Sequence, residues 1–391
     1  MTPAARLQAA VEILDQVIAS ARDEGAPADA LVTRYFKTRR YAGSKDRRAV
    51  RELVFRAIRR AGERPESGRA AVVGLANDEP GLFELFGEPR GPEPLVEGEA
   101  VSAPGIVPGW LVTELSPLLP ADEWPALVER ALLDLRVNVA RTTREAMHAA
   151  FAEAEPTGIS PWGLRLPADT RVDDRSEFRE GLVEVQDEGS QLIALACDPQ
   201  PGQRILDLCA GAGGKSLALA AAASGATIHA SDTNRARLSN LPPRAARAGA
   251  AIETRLLDPG RELDQLADWR AAADVVLVDA PCSGSGTWRR NPESRWRLTP
   301  DRLARLVALQ QRLLAVGAEM VRPGGSLVYA VCSLLSREGA GQIADFLGSR
   351  SGWSGQDILG TVGRSDGAGR LLTPAHDCTD GFFIARLDKP C

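Results

Sequence analysis

Residues 204–222, RILDLCAGAGGKSLALAAA, join a short apolar run to a small-residue loop and then to a segment rich in Ala and Leu. The order reads as strand, loop, helix. Gly211, Gly213 and Gly214 let the backbone turn tightly and approach a ligand closely at a helix N-terminus. Glycine alone does not say which ligand, but its spacing does. A phosphate-binding loop requires a glycine five positions before Gly214, where Cys209 stands, and a dinucleotide fingerprint requires its third glycine where Ser216 stands. Both spacings fail.

Working outward from this loop, the chain from about 186 onward alternates apolar runs (RILDLCA, ATIHASD, DVVLVDAP, GSLVYAVCS) with Ala- and Arg-rich segments such as 234–248 and 299–321. Short apolar strands separated by helices predict an α/β fold, a doubly wound Rossmann-like parallel sheet whose ligands sit at the carboxyl ends of the strands. Asp232 ends the second strand, 18 residues after Gly214, where a carboxylate can accept both hydroxyls of a ribose. Asp258 ends the third, within reach of an adenine amine. A ribose-binding acid, a short glycine loop and no phosphate cradle fit S-adenosylmethionine better than NAD or ATP.

Two cysteines fall at the same end of this sheet. Cys282 follows the fourth strand in DAPCSGSGTWRRNPESRW (279–296), and Cys332 ends the fifth in VYAVCS. A single cysteine is usually a small buried hydrophobe, whereas two at one cleft point to chemistry. Carbon 5 of cytosine is too electron-poor to attack a methyl group directly. A thiolate adding at carbon 6 makes carbon 5 enamine-like, and loss of the carbon 5 proton later releases the thiol. The addition needs a protein acid near the ring nitrogen edge, and Asp279 is placed for that.

These motifs resemble those of the RNA cytosine-5 methyltransferases of the RsmB, Sun or Fmu (NSUN) type. DLCAGAGGKS is similar to that family's cofactor loop, and DAPCSGSGTWRRNPESRW and LVYAVCS to its two cysteine motifs. VQDEGSQL and DGFFIARL match as well, so the resemblance spans about 133 to 388. It implies that Cys332 is the nucleophile, that Cys282 assists product release and that Asp279 contacts the base. It also implies a cofactor site lined by Cys209, Ala210, Gly211, Ala212, Gly213, Gly214, Lys215, Asp232, Asp258 and Asp279. The sequence departs from the family pattern in three places: Gly211 and Ala212 replace the usual Ala-Pro, Val331 replaces a Thr, and SREGA stands where a PxEN-like run is common.

The N-terminal part has a different character. Residues 1–62 carry apolar residues three and four apart, as in LQAAVEILDQVI and RAVRELVFRAI, which is helical patterning. Around GSKDRRAVRELVFRAI it resembles, more loosely, a NusB-type RNA-binding region. Residues 63–108 hold seven prolines and are expected to form a connector with little regular structure. Helical patterning resumes from about Trp110 to Asp134, and 133–185 reads as a small α/β RNA-binding subdomain. The expected organisation is therefore 1–132 helical, 133–185 small α/β, and 186–391 catalytic.

Charge is uneven along the chain. The total is −5, yet residues 34–60 hold eleven Lys or Arg against two acids, and residues 288–306 hold six Arg against Glu293 and Asp301. Two basic patches point to a polyanion, so RNA is the expected partner. Arg289, Arg290, Arg295 and Arg297 are candidate phosphate contacts. Trp288 and Trp296 are candidate stacking platforms, with packing as the alternative. No signal peptide or membrane span is evident, and the expected location is cytoplasmic. Six scattered cysteines without a CxxC pair, with only three histidines, predict neither a metal site nor a disulfide framework. Ribosomal RNA is the expected substrate, transfer RNA its main rival, and a catalytically inactive RNA-binding assembly factor the alternative from another class.

Overall fold

The computed structural model describes residues 1–23 and 25–391, which divide into two units. The first comprises Met1–Leu115, Pro120–Glu129 and Thr287–Pro300. Its helices are α1 (Pro3–Arg22), α2 (Ala28–Lys37), α3 (Ser44–Arg60) and α4 (Gly68–Asp78). α1 starts where the Thr2 hydroxyl accepts the Ala5 N–H ahead of Pro3, and α4 starts where Ser67 Oγ accepts the Ala70 N–H. Leu7, Ile13, Leu14 and Val17 of α1 pack with Val50, Val54 and Ile58 of α3 and Val72 of α4. A Cβ at Gly68 would stand 2.2 Å from the Val11 carbonyl oxygen, so glycine is what lets α4 approach α1.

The structure departs from the sequence expectation in two stretches here. Within 63–108, α4 is a regular helix whose buried side chains, Ala71, Val72 and Leu75, belong to the helical core. Between Trp110 and Asp134 only two 3-10 turns form, Gly109–Glu114 and Ala121–Leu127, because Pro117, Pro120 and Pro125 interrupt the backbone hydrogen bonds.

The second unit holds two sheets. The smaller is antiparallel, with β1 (Leu133–Val137), β2 (Glu155–Pro156), β3 (Gly163–Leu166) and β4 (Val183–Val185) in the order β2-β3-β1-β4. The larger contains β5 (Arg204–Asp207), β6 (Thr227–Asp232), β7 (Ile252–Leu256), β8 (Ala273–Asp279), β9 (Val321–Val331), β10 (Ser354–Gln356), β11 (Arg364–Asp366), β12 (Gly369–Leu372) and β13 (Phe382–Asp388). Its order is β11-β12-β13-β9-β8-β5-β6-β7, with β10 pairing β13. Strands β9-β8-β5-β6-β7 run parallel, and β13, β12 and β11 add an antiparallel edge.

This is the doubly wound Rossmann-like sheet that the strand–helix alternation predicts. The apolar runs of β5 and β8 are buried on both faces, which explains their unbroken hydrophobic sequence. The chain leaves β5 for β6 and β7 on one side, then crosses to β8 and β9 on the other. The topological switch therefore lies between β5 and β8, and the carboxyl ends of these strands frame a cleft.

Candidate active site

The glycine loop joins β5 to the helix Gly214–Ala222. Gly211 and Gly213 adopt φ values of +57° and +81°, left-handed conformations that side chains resist. A Cβ at Gly213 would meet Leu241 Cδ1 at 2.1 Å, so the loop is held tight from below. From above it is held by charge. Asp232, the last residue of β6, accepts the Gly211 N–H at 2.7 Å through Oδ2 and the Asn234 N–H at 2.6 Å through Oδ1. Each oxygen keeps a further lone pair for a hydroxyl. Leu257 N–H bonds the Asp232 carbonyl at 2.9 Å, placing exposed Asp258 just beyond the adjacent strand end. Its carboxylate there accepts from the Gln265 side chain at 2.9 Å.

Two further arginines support the loop, and sequence reading missed both. Arg136 of β1 is buried and donates to the Gly214 carbonyl and to Gln186 Oε1, both at 2.7 Å. Burial lowers its pKa to about 10. Arg244 donates to the Ala212 carbonyl at 2.5 Å. Neither arginine has a local signal, since both act on loop carbonyls from distant segments.

Lys215, one residue into the helix, donates to Asp279 Oδ2 at 2.7 Å across the β5/β8 gap. Burial works against its charge, but Asp279 outweighs burial and holds the ammonium above its ordinary pKa. Asp207 lies under the loop. Its Oδ2 accepts the Ser216 hydroxyl at 2.6 Å, while Oδ1 is buried without a protein partner. Burial raises its pKa to about 7, the Ser216 hydrogen bond opposing and the nearby Asp279 charge adding to the shift. The Cys209 thiol is likewise pushed up, first by burial and then by the surrounding aspartates.

The two cysteines of the sequence motifs come together. Cys282 Sγ and Cys332 Sγ are 3.4 Å apart, both partly buried, one just past β8 and the other directly after β9. The hydrogen bond to Cys332 is the largest influence on Cys282 and, with burial, raises its pKa well above the ordinary thiol value. Either sulfur can be the donor in this 3.4 Å contact.

A buried carboxyl behind the thiols joins their two loops. Glu338 accepts the Ser283 N–H at 2.9 Å, Ser333 Oγ–H at 2.5 Å and Gln310 Nε2 at 2.9 Å. Ser283, Ser285 and Ser333 hydroxyls lie 3.1–3.2 Å from one another, and the Gly286 N–H bonds the Cys332 carbonyl at 3.1 Å. Glu338 has no exposure. Its only local signal is its place in SREGA, six residues after Cys332, beside small hydroxyl residues that follow both cysteines.

In the downstream half of DAPCSGSGTWRRNPESRW, Arg295, Trp288 and Trp296 are buried and are not surface contacts for a nucleic acid. Arg295 is fully buried in the first unit. Its guanidinium donates to the Ile58, Arg59 and Ala61 carbonyls at 2.5–2.9 Å and to Ile106 O at 2.9 Å. It caps the C-terminus of α3, whose last carbonyls lack helical partners. Burial lowers its pKa to about 10. Trp296 donates from Nε1 to Ala61 O at 2.9 Å with its ring in the helical core, and Trp288 is also buried, so both pack rather than stack on a base. Arg297 donates to the Gly25 and Ala26 carbonyls.

Three carboxylates around a glycine loop would repel a nucleotide phosphate, and the loop offers no cradle for one. The loop is left with open acceptors beside the helix start: lone pairs on both Asp232 oxygens and, among the described residues, an unpartnered Asp207 Oδ1. With the doubly wound sheet, this defines an S-adenosylmethionine-dependent methyltransferase. Residues 194–388 match the family model described as 16S rRNA methyltransferase RsmB/F. The chain is 34% identical over 330 residues to a ribosomal RNA small subunit methyltransferase B of Pectobacterium atrosepticum, covering 82% of this chain and 74% of that one. It is 35% identical over 290 residues to the protein of the same name from Enterobacter sp. (strain 638), covering 72% of this chain and 66% of that relative. Among solved structures it shares the fold of NSun6 from Pyrococcus horikoshii, solved with SFG, at TM-score 0.63, 19% identity and coverage of 72% and 98%. The chain belongs to the RsmB/F methyltransferase family, and it is an S-adenosylmethionine-dependent RNA methyltransferase.

Proposed function

We propose that the chain methylates carbon 5 of a cytosine in ribosomal RNA, with Cys332 adding to carbon 6 and Cys282 assisting release. The observation that carries this reading is the 3.4 Å approach of the two sulfurs at the strand ends beside the glycine loop. The names of the relatives favour ribosomal over transfer RNA as the substrate.

S-adenosylmethionine supplies an electrophilic methyl group on a sulfonium. The residues to hold it are Cys209 to Lys215 with Asp232, Asp258 and Asp279. Cys332 reacts as a thiolate, the form that makes the S–C6 bond, and Cys282 Sγ lies 3.4 Å from it. Asp279 faces the base, and Lys215 fixes its carboxylate at 2.7 Å. Once carbon 5 carries the methyl, water takes its proton, the C5–H electron pair re-forms the C5=C6 bond, and the S–C6 pair leaves with Cys332 as a thiolate. Cys282, 3.4 Å from the departing sulfur, assists by hydrogen bonding to it. A target base leaves its stack to reach a thiol, so the substrate is a single-stranded or loop cytosine.

The test is transfer of labelled methyl to bulk RNA from a strain lacking the gene, followed by bisulfite mapping. Cys332→Ala is expected to abolish transfer. Normal transfer by that variant would remove the assigned nucleophile, and labelling of transfer RNA alone would change the substrate class. The alternative of an inactive assembly factor is checked by calorimetry with S-adenosylmethionine, where absence of binding would favour it.

A further inference from the structure

The basic stretch 34–60 does not act as one surface, because its side chains divide into two groups. One group is engaged: Arg39 with Glu12 at 3.3 Å, Arg51 with Asp29 at 2.8 Å, Arg56 with Glu79 at 2.9 Å and Arg60 with Asp78 at 2.7 Å. Arg47 donates to the Ala42 carbonyl at 2.9 Å. These cations largely neutralise acids of their own unit. The pairing argues against the part of this stretch from Arg51 to Arg60 as the RNA contact expected from its charge.

Five cations of the same stretch have no acid or carbonyl partner among the described residues: Arg34, Lys37, Arg40, Lys45 and Arg48, all exposed. Their positions are not scattered. Arg34 and Lys37 lie one turn apart at the end of α2, Lys45 and Arg48 one turn apart at the start of α3, and Arg40 lies in the turn that joins the helices. The one acid of this turn, Asp46, is occupied by the N-terminal ammonium at 3.0 Å and Arg6 at 2.8 Å, so it does not quench them. Tyr41 follows Arg40 in the same turn, with 74% of its surface exposed. Beside it opens a cavity of about 610 Å³ lined by Tyr35, Arg39, Tyr41 and Arg90 among others.

We propose that this α2–α3 turn is a binding surface for single-stranded RNA, on which Tyr41 stacks a base and the unpaired cations track the phosphates. The proposal rests on the reading of the chain as an RNA methyltransferase and adds where the first unit holds the strand. An exposed ring among uncompensated cations matches the two features of single-strand recognition, an aromatic platform and an electrostatic track. Duplex RNA offers the same phosphates but hides its base faces, so the tyrosine selects single strands.

The experiment is fluorescence anisotropy with the full chain, a labelled 20-nucleotide single-stranded RNA of mixed sequence, and the same RNA as a duplex. Tyr41→Ala is expected to weaken single-strand binding about tenfold, to leave duplex binding within twofold, and to be rescued by Tyr41→Phe. The triple variant Arg40→Gln/Lys45→Gln/Arg48→Gln is expected to reduce the slope of log K against log salt by about 2, whereas Arg51→Gln/Arg56→Gln, which removes paired arginines, changes it little. Binding and salt slope unchanged in both the Tyr41 and the triple variants would overturn the proposal, and so would equal losses on single strand and duplex for Tyr41→Ala. Methyl transfer to RNA by wild type is assayed in parallel. Transfer that persists while the surface variants bind normally overturns the surface alone; absence of both transfer and RNA binding in wild type overturns the functional reading with it.

Discussion

Cys282 and Cys332 are fifty residues apart in the chain and 3.4 Å apart at their sulfurs. The hydrogen bond to Cys332 and burial both hold the Cys282 thiol well above its ordinary pKa. In the proposed mechanism, Cys282→Ala leaves the attacking sulfur of Cys332 in place and removes the group beside it that assists departure. The expected result is a protein–RNA adduct that survives denaturing gels, with turnover reduced at least a hundredfold but the first addition retained. Normal turnover without an adduct would show that Cys282 takes no part in release.

Glu338 fixes the distance between those sulfurs by holding both of their loops. Glu338→Ala leaves the Ser283 N–H, the Ser333 hydroxyl and the Gln310 amide with one common acceptor missing in a site without water access. A loss of about 3 kcal/mol is expected in chemical denaturation, with methyl transfer falling at least tenfold and S-adenosylmethionine binding unchanged by calorimetry. Glu338→Gln, which retains one acceptor, is expected to lose less on both counts. Equal stability of all three proteins would mean that the network is dispensable.

The parallel sheet, its glycine loop and the cysteine positions are legible in the sequence because each depends on local pattern. Strands β5, β8 and the end of β9 are buried and read as apolar runs, whereas β7 is largely exposed, and the motif residues fall where those runs end. Glu338, Arg136 and Arg244 are not legible, because their partners come from segments far away in the chain and nothing adjacent marks them as buried or loop-directed. Arg295 and Trp296 mislead for the opposite reason. Their neighbours Arg289, Arg290 and Arg297 make a basic, aromatic stretch that looks like a nucleic-acid surface, and only the packing shows them closing the helical core. The helix Gly68–Asp78 is hidden by the prolines that surround it, although AAVVGLA within it is an apolar helical run.

Arg295 satisfies four carbonyls at and beyond the end of α3, so its loss is a folding defect first. Arg295→Ala is expected to destabilise the first unit by about 4 kcal/mol, through the vacated space and the stranded carbonyls. Limited proteolysis should then cut within residues 1–115 well before the wild type is touched. A variant as resistant as wild type would restore Arg295 as a candidate phosphate contact.

Asp232 gives one oxygen to Gly211 and the other to Asn234, so it shapes the glycine loop even without cofactor. Asp232→Asn replaces one acceptor with an amide donor facing a backbone N–H. The expected outcome is a Kd for S-adenosylmethionine at least tenfold higher by calorimetry, with the fold intact by circular dichroism. Unchanged affinity would remove Asp232 from the cofactor site.

Asp207 links stability to pH through its burial. Its pKa is about 7 in the fold against an ordinary 3.8, so between these values the folded chain binds more protons than the unfolded chain. Stability from this group is therefore fully present below pH 3.8 and declines as pH rises through about 7, the reverse of a salt-bridged acid. Between pH 6 and 8 the decline amounts to roughly 1.4 kcal/mol. Asp207→Asn removes the titration while keeping an acceptor for Ser216, which donates to it at 2.6 Å. The wild-type Tm is expected to fall relative to Asp207→Asn across pH 6 to 8, and the gap to close steadily below pH 6, with convergence only near pH 3.8. Parallel Tm curves for the two proteins over that range would show that Asp207 is ionised throughout and that the buried carboxylate is held by charges nearby.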